Sequence, residues 1–302
     1  MKVPAEVDYE TAIRDLPFMT ADVQEAFRPG RIVELSPQVR RITAPNPGMM
    51  TGPGTNTFII GREQLTVIDP GPAIGEHVKA IADYCSGRLH QILLTHTHPD
   101  HSPGAALLHN LTGAPVKASG IELERVYDET FVLDQSLQGG EVLNTPEYTI
   151  EVIHTPGHVA NHLCFLLNEP KWLFAGDMVM DGSTVVIAPP DGDMADYIDS
   201  LKLLKCRSIE FIAPAHGRLI PDPPGFLQSM VDHRAGREQK VVIGLRQLDI
   251  ATIETLVKQV YDDVPDVLHG AALMSLQAHL FKLQGEGLAE FDEGTRKWQL
   301  RS

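Results

Sequence analysis

The chain has 302 residues, of which 43% are apolar, and a formal net charge of −15. That length allows one large domain with a small one beside it, and the apolar share is that of a globular protein with a real core. The acidic balance disfavours non-specific attraction to nucleic acid, and no apolar run reaches the roughly eighteen residues a membrane span requires.

Residues 1–30 are polar and mixed. Residues 1–15 carry acids, lack the apolar stretch of a secretory signal and lack the Arg- and Ser-rich composition of a transit peptide. A short helix is predicted over 20–27, ended by Pro29-Gly30. Strands follow at 32–35, 39–43, 57–61 and 65–69, and the spacing of Val78, Ile81, Ala82 and Cys85 predicts a helix over 75–85. The run Gln91-Ile92-Leu93-Leu94 reads as a buried strand that opens into Thr95-His96-Thr97-His98-Pro99-Asp100-His101. A helix with Pro103 in its first turn spans 103–111, and a short strand follows at 116–118. Strands at 149–153, 162–167 and 172–175 precede a helix over 194–204 capped by Asp193, and a strand at 209–213 leads to His216.

Pro221, Pro223 and Pro224 then break the chain. A helix is predicted over 226–247, an amphipathic helix over 249–261 with Ile250, Ile253, Leu256, Val257 and Val260 on one face, and a third helix over 268–284 ended by Gly285 and Gly287. A hairpin over 288–291 and 297–300 completes the order of a winged helix. These features divide the chain into 1–225 and 226–302, with no internal repeat or low-complexity tract. The three cysteines, Cys85, Cys164 and Cys206, are odd in number and widely spaced. They read as reduced packing residues of a cytoplasmic protein.

His96, His98, Asp100 and His101 place four candidate metal ligands within six positions. Side chains alternate along an extended chain, so His96 and His98 are expected on one side. His158, Asp177 and His216 each follow an apolar, strand-like run and lie beside Gly or Pro, and Asp69 in Val67-Ile68-Asp69-Pro70-Gly71 repeats that pattern. Ligands at several strand ends can converge on one rim of a sheet. Imidazole suits zinc and other first-row metals, and a carboxylate can bridge two ions.

These blocks resemble the metallo-β-lactamase-fold hydrolase superfamily, in order and in type, over roughly residues 30–225. The resemblance implies an α/β fold, a four-layer αββα sandwich with a dinuclear site on one edge. It implies that His96, His98 and His158 hold one ion, that Asp100, His101 and His216 hold the other, and that Asp177 bridges them. Asp100 and Asp177 are the expected catalytic acids, Asp69 orients ligand imidazoles, and His162 is a supporting or structural residue. Two zinc ions are the default, with iron and manganese open. Such ions share a water or hydroxide, lower its pKa and polarise the carbonyl or phosphorus it attacks. His109, His154, His233 and His279 read as surface or packing residues. Asn56 and Thr57 border the site or form a plain turn, and Ser183 and Thr184 are either substrate-binding or turn residues.

Asn46-Pro47-Gly48, Gly54-Thr55-Asn56-Thr57, Asp232-His233-Arg234 with Arg237-Glu238, and His279-Leu280 with Lys282-Leu283 and Glu286-Gly287 are similar to the β-lactamase-like protein 2 group. That group joins the metallo-β-lactamase fold to a C-terminal winged helix. Its animal member is an endoribonuclease on single-stranded RNA, and fungal relatives include thioesterases that release polyketides from acyl carriers. The expected function is therefore a dinuclear-metal hydrolase acting on a small or carrier-bound acyl compound: a thioester, ester, lactone or lactam. A single-strand endoribonuclease and a non-catalytic, metal-stabilised nucleic-acid-binding protein are the alternatives. The net charge and the single Lys282 on the 268–284 helix favour the acyl substrate over RNA. Arg234, Arg237 and Lys240 form a basic patch or pair with Asp232 and Glu238 on their own helix. The apolar helix faces of the C-terminal module suit either substrate access or self-association, and a homodimer is compatible with them.

Overall fold

A computed structural model of the chain describes residues 16 and 18–301; the reading of 1–15 as free of a secretory signal falls on residues outside these. The chain gathers into two compact units, one formed by Met1–His154, Asn161–Ser183 and Ile209–Pro221, the other by Thr155–Ala160, Thr184–Ser208 and Asp222–Ser302. The second unit thus draws on two internal segments as well as on the C-terminal residues.

The first unit holds two sheets. Strands β1 (Ile32–Ser36), β2 (Val39–Thr43), β3 (Asn56–Ile60), β4 (Leu65–Ile68), β5 (Leu89–Leu93), β6 (Val116–Ser119) and β7 (Gln135–Leu137) form the seven-stranded sheet in chain order. Strands β8 (Val142–Asn144), β9 (Thr149–His154), β10 (Leu163–Leu167), β11 (Trp172–Gly176) and β12 (Phe211–Pro214) form a five-stranded sheet in the order β12-β11-β10-β9-β8. Helix α1 (Ala21–Ala26) precedes them, and α2 (Gly75–Cys85) and α3 (Pro103–Thr112) lie between strands of the first sheet.

Strand alternation sorts the apolar residues into two cores. Phe58 and Ile60 of β3, Leu93 of β5, Leu163, Phe165 and Leu167 of β10, and Phe174 of β11 share one cluster, with the Phe58 and Phe174 rings 5.1 Å apart. Ile59, Val67 and Ile92 point the other way and pack with Val78 and Ile81 of α2 and Ala105 and Leu108 of α3. The unit is therefore layered helix, sheet, sheet. Strands β7 and β8 have no sequence signal, because each is three residues long and largely polar or exposed.

The second unit contains α4 (Met194–Lys205), α5 (Pro223–Leu248), β13 (Ile250–Ala251), α6 (Ile253–Val260), a 3-10 turn at Asp266–Leu268, α7 (His269–Gly285), β14 (Ala289–Asp292) and β15 (Lys297–Leu300). Asp193 caps α4 by accepting from the Ala195 and Asp196 N–H groups. Helix α5 starts earlier than its periodicity predicts, because Asp222 accepts from the Gly225 N–H and Pro223 suits a first helical turn.

The amphipathic helix expected over 249–261 is corrected. Asp249 ends α5 with φ of 61°, Ile250 and Ala251 pair with Gln299 and Trp298 of β15, and the helix restarts after Thr252, which accepts from the Thr255 N–H. The apolar period holds within α6, but a cap and a distant strand move its boundary. Val241, Leu245, Leu256, Val260, Leu276, Leu280 and Trp298 form the core of this unit. Cys85 and Cys164 are buried, whereas Cys206 is exposed at the end of α4 and is not a packing residue.

Candidate metal centre

Every candidate ligand sits just beyond a strand. Asp69 follows β4, His96 to His101 follow β5, His158 follows β9, Asp177 follows β11 directly, and His216 follows β12. The His96–His98 stretch is a loop, not a continuation of β5. The two rings nevertheless meet, with His96 Nε2 2.9 Å from His98 Nδ1. Two groups have the composition and spacing of metal sites: His96, His98, His158 and Asp177, and Asp100, His101 and His216. Within each, one ligand atom per residue lies within 4.8 Å of the others.

The ring nitrogens that face away from these groups are held by named partners. Asp69 Oδ2 accepts from His101 Nδ1 at 2.9 Å and from Thr95 Oγ1 at 2.7 Å, and Asp69 Oδ1 accepts from the Thr95 N–H at 2.8 Å. The Thr95 proton is thereby committed to Asp69, so Thr95 Oγ1 accepts from His96 Nδ1 at 3.0 Å. One carboxylate thus keeps a proton on the Nδ1 of two imidazoles and turns both Nε2 atoms toward the candidate ligand groups. His158 Nδ1 donates to the Val186 carbonyl at 2.9 Å, and His216 Nδ1 lies 3.4 Å from the Gly54 carbonyl. The Asp177 N–H donates to His162 Nε2 at 3.2 Å. Gly176, at φ of 49°, allows this approach, because a Cβ there would stand 2.6 Å from His162 Nε2 and 2.7 Å from Thr95 Oγ1.

The electrostatics call for a cation. His101 Nε2 lies 3.4 Å from Asp100 Oδ2 and 3.4 Å from Asp177 Oδ1; His216 Nε2 lies 3.2 and 3.3 Å from the same atoms. Both nitrogens are buried, and neither is aligned for a hydrogen bond. Burial opposes charge on His101, yet Asp100, Asp177 and Asp69 outweigh it and hold the pKa well above that of an ordinary imidazole. Burial opposes charge on His216 too, and there Asp177 and Asp100 outweigh it and raise the pKa to about 9. Burial also opposes charge on Asp177 and Asp100, and the facing imidazoles hold both carboxylates low. His96 is held well below 6.5 by burial and by His101. A set of imidazoles and carboxylates that must borrow protons to balance itself fits borderline divalent metals, which replace those protons.

Thr95 and Tyr127 are given no role in the sequence reading, and Asn56 and Thr57 are left there between a border of the site and a plain turn. The one sequence signal for Thr95 is its place directly before His96. Asn56 is not a loop residue but lies in β3, where its Nδ2 donates to the Pro214 and Gly217 carbonyls and ties down the His216 loop. Thr57 Oγ1 donates to the Asp69 carbonyl at 2.7 Å. The Tyr127 ring packs edge-on against His98, 4.5 Å between centroids. Ser183 and Thr184 are exposed.

The cations read as a basic patch are engaged elsewhere, and their partners are not on their own helix. Arg234 is 3% exposed and donates to the Val185 carbonyl. Arg237 bonds the Val260 carbonyl and Asp263, and Lys240 pairs with Asp262 and Asp263. Glu238 instead receives His279 and Lys282.

The sequence model of the family described as the Metallo-beta-lactamase superfamily matches residues 50–216, and that of the Beta-lactamase associated winged helix domain matches 252–298. An "Atrochrysone carboxyl ACP thioesterase" of Aspergillus chevalieri is 30% identical, with 88% of each chain covered. A "Beta-lactamase-like protein 2 homolog" of Caenorhabditis elegans is 30% identical over 86% of this chain and 88% of its own. Among solved structures, a beta-lactamase domain protein from Burkholderia ambifaria superposes with TM-score 0.79 at 18% identity, covering 91% of this chain and 94% of its own. A metallo-beta-lactamase family protein from Thermus thermophilus gives TM-score 0.74 at 20% identity, over 89% of this chain and all of its own. No helix among the described residues is long and apolar enough to cross a membrane.

Proposed function

The chain belongs to the metallo-β-lactamase superfamily and is one of its hydrolases, and on that premise we propose that it uses two divalent ions, zinc by default, to cleave the acyl bond of a small or carrier-bound substrate. A thioester is favoured over an ester, lactone or lactam, in keeping with the relative named as a carboxyl ACP thioesterase. His96, His98 and His158 would hold one ion, Asp100, His101 and His216 the other, and Asp177 would serve both through its two carboxylate oxygens.

When bound, such ions supply Lewis acidity and a water of lowered pKa. The chain's own residues prepare the site for them. Asp69 keeps a proton on His101 Nδ1 and, through Thr95, on His96 Nδ1, so that Nε2 is the atom each ring would offer to a metal in exchange for any proton it carries. His162 accepts the Asp177 N–H and fixes the start of the loop that carries that carboxylate.

The engagement of Arg234, Arg237, Lys240 and Lys282 carries the substrate choice. Each is tied to a carbonyl or an acid within its own unit. Tracking an RNA backbone needs several free cations, since each neutralised phosphate adds to affinity by counterion release. The test is a panel on one metal-replete preparation: acyl thioesters of N-acetylcysteamine and of a carrier protein, lactones, lactams and labelled single-stranded RNA. Thioester turnover that disappears in Asp177→Ala is expected. RNA cleavage with the same dependence on Asp177, and no acyl turnover, would replace this reading with the endoribonuclease.

A further inference from the structure

Arg234 takes no part in the chemistry above, yet its side chain is 3% exposed. A buried guanidinium is costly unless its donors find partners. Its Nη2 donates to the Val185 carbonyl at 2.5 Å, and its head lies 5.1 Å from the centre of the Tyr197 ring. The next carbonyl along the chain, that of Val186, accepts from His158 Nδ1 at 2.9 Å. The residue after that, Ile187, donates its N–H to Ser275 Oγ of α7 at 3.3 Å. Three consecutive residues are thus tied to α5, to His158 and to α7. They lie in an irregular segment that pairs with no strand, so these side-chain bonds set its position.

Tyr197 backs the residue before His158. Gly157, at φ of 132°, packs so closely on it that a Cβ would stand 2.2 Å from Tyr197 Cα. The Gly157 carbonyl accepts the Asp193 N–H at 2.9 Å, and Asp193 caps the helix that carries Tyr197. Arg234 therefore touches the segment that holds the His158 Nδ1 proton and the side chain of Tyr197, the residue against whose backbone the His158 loop is packed.

We infer that Arg234 is a positioning residue for the metal ligand His158: by bonding the Val185 carbonyl and covering the Tyr197 ring it fixes the Val186 carbonyl that orients the His158 imidazole. The inference rests on the reading of His158 as a ligand. It gives α5 and α7 a task at His158, within their own unit, and it accounts for a buried arginine that meets a carbonyl instead of an acid.

The experiment uses the full chain and reads zinc stoichiometry by native mass spectrometry, zinc affinity against a competing chelator, and the melting temperature of the metal-free protein. His158→Ala should lose one ion. Arg234→Ala should weaken that same ion about 10-fold, the scale seen when groups supporting a ligand are removed, and leave the other ion unchanged. Ser275→Ala should act in the same direction more weakly, and Arg234→Ala should add nothing in a His158→Ala background. Leu256→Ala, a core substitution in the same unit, should lower the melting temperature and leave both affinities alone. Unchanged affinities in Arg234→Ala, or equal weakening of both ions matched by Leu256→Ala, would overturn the inference. If His158→Ala keeps both ions, the ligand assignment itself fails and the inference falls with it. If His158→Ala loses an ion and Arg234→Ala does not, only the positioning role fails. Should Arg234→Ala not fold, Arg234→Lys and Ser275→Ala decide the matter by the same readouts.

Discussion

Around Asp177 the facing ionisable groups are the imidazoles of His101 and His216, and the next acid, Asp100, faces those same rings. Along α5 three acids meet cations: Asp263 meets Arg237 and Lys240, Asp262 meets Lys240, and Glu238 meets Lys282. Both regions concentrate charge, but only the second neutralises itself with fixed charges. The first balances only by holding protons on His101 and His216, which is the signature of a place for a cation. A cluster of charged residues in a sequence is thus a site only where the partners are all of one donor class; where acids and bases match, the cluster is structure.

Four measurements would break or sharpen this contrast. The largest effect is expected from Asp177→Ala, which should lower hydrolysis by about 1,000-fold, on the scale of removing a principal electrostatic group, with metal content falling in parallel. Full activity in a metal-free preparation would end the metal-centre reading. Next, Asp69→Asn replaces one accepting oxygen with an NH2 and so cannot serve the Thr95 N–H on one atom and the Thr95 hydroxyl and His101 Nδ1 on the other; it should weaken metal binding about 10–100-fold. An unchanged chelator titration would show that those tautomers need no such anchor.

The third measurement follows protons. The folded His216 pKa of about 9 exceeds its ordinary 6.5, and His101 is raised as well. Their contribution to the stability of the metal-free protein is complete below about pH 6.5 and is lost as pH rises through about 9. The lowered Asp100 and Asp177 contribute above about pH 3.8 and lose that contribution as pH falls. At pH 7 both imidazoles are protonated, so metal loading should release about two protons, and fewer as pH approaches 9. Calorimetry in buffers of different ionisation enthalpy reads this directly, and no release at pH 7 would contradict the charge balance. The smallest effect on metal belongs to Arg237→Met. It should cost about 1–3 kcal/mol of stability, because the buried Val260 carbonyl loses its donor, and should leave metal affinity unchanged.

The sequence by itself pointed to the candidate ligands and determined most of the elements that carry them. His96 to His101, His158, Asp177 and His216 stand out because metal chemistry restricts residue type, because each follows an apolar, strand-like run, and because the blocks resemble those of the superfamily. The same logic found α2, α4 and the terminal hairpin, whose period and caps are local. What only the tertiary structure decided is how those ligands are held. The Val186 carbonyl bound by His158 lies 28 residues away, Thr95 meets an acid 26 residues earlier, and Asn56 reaches a carbonyl 161 residues on. Arg234 and Arg237 read as a patch in one dimension because their partners, a carbonyl 49 residues back and an acid 26 residues ahead, come near only on folding. Likewise β13 exists because β15 offers Ile250 and Ala251 an edge that the helical period could not foresee. Local chemistry is written in residue type and spacing, whereas orientation, tautomer and the fate of a charge depend on partners that the fold alone brings near.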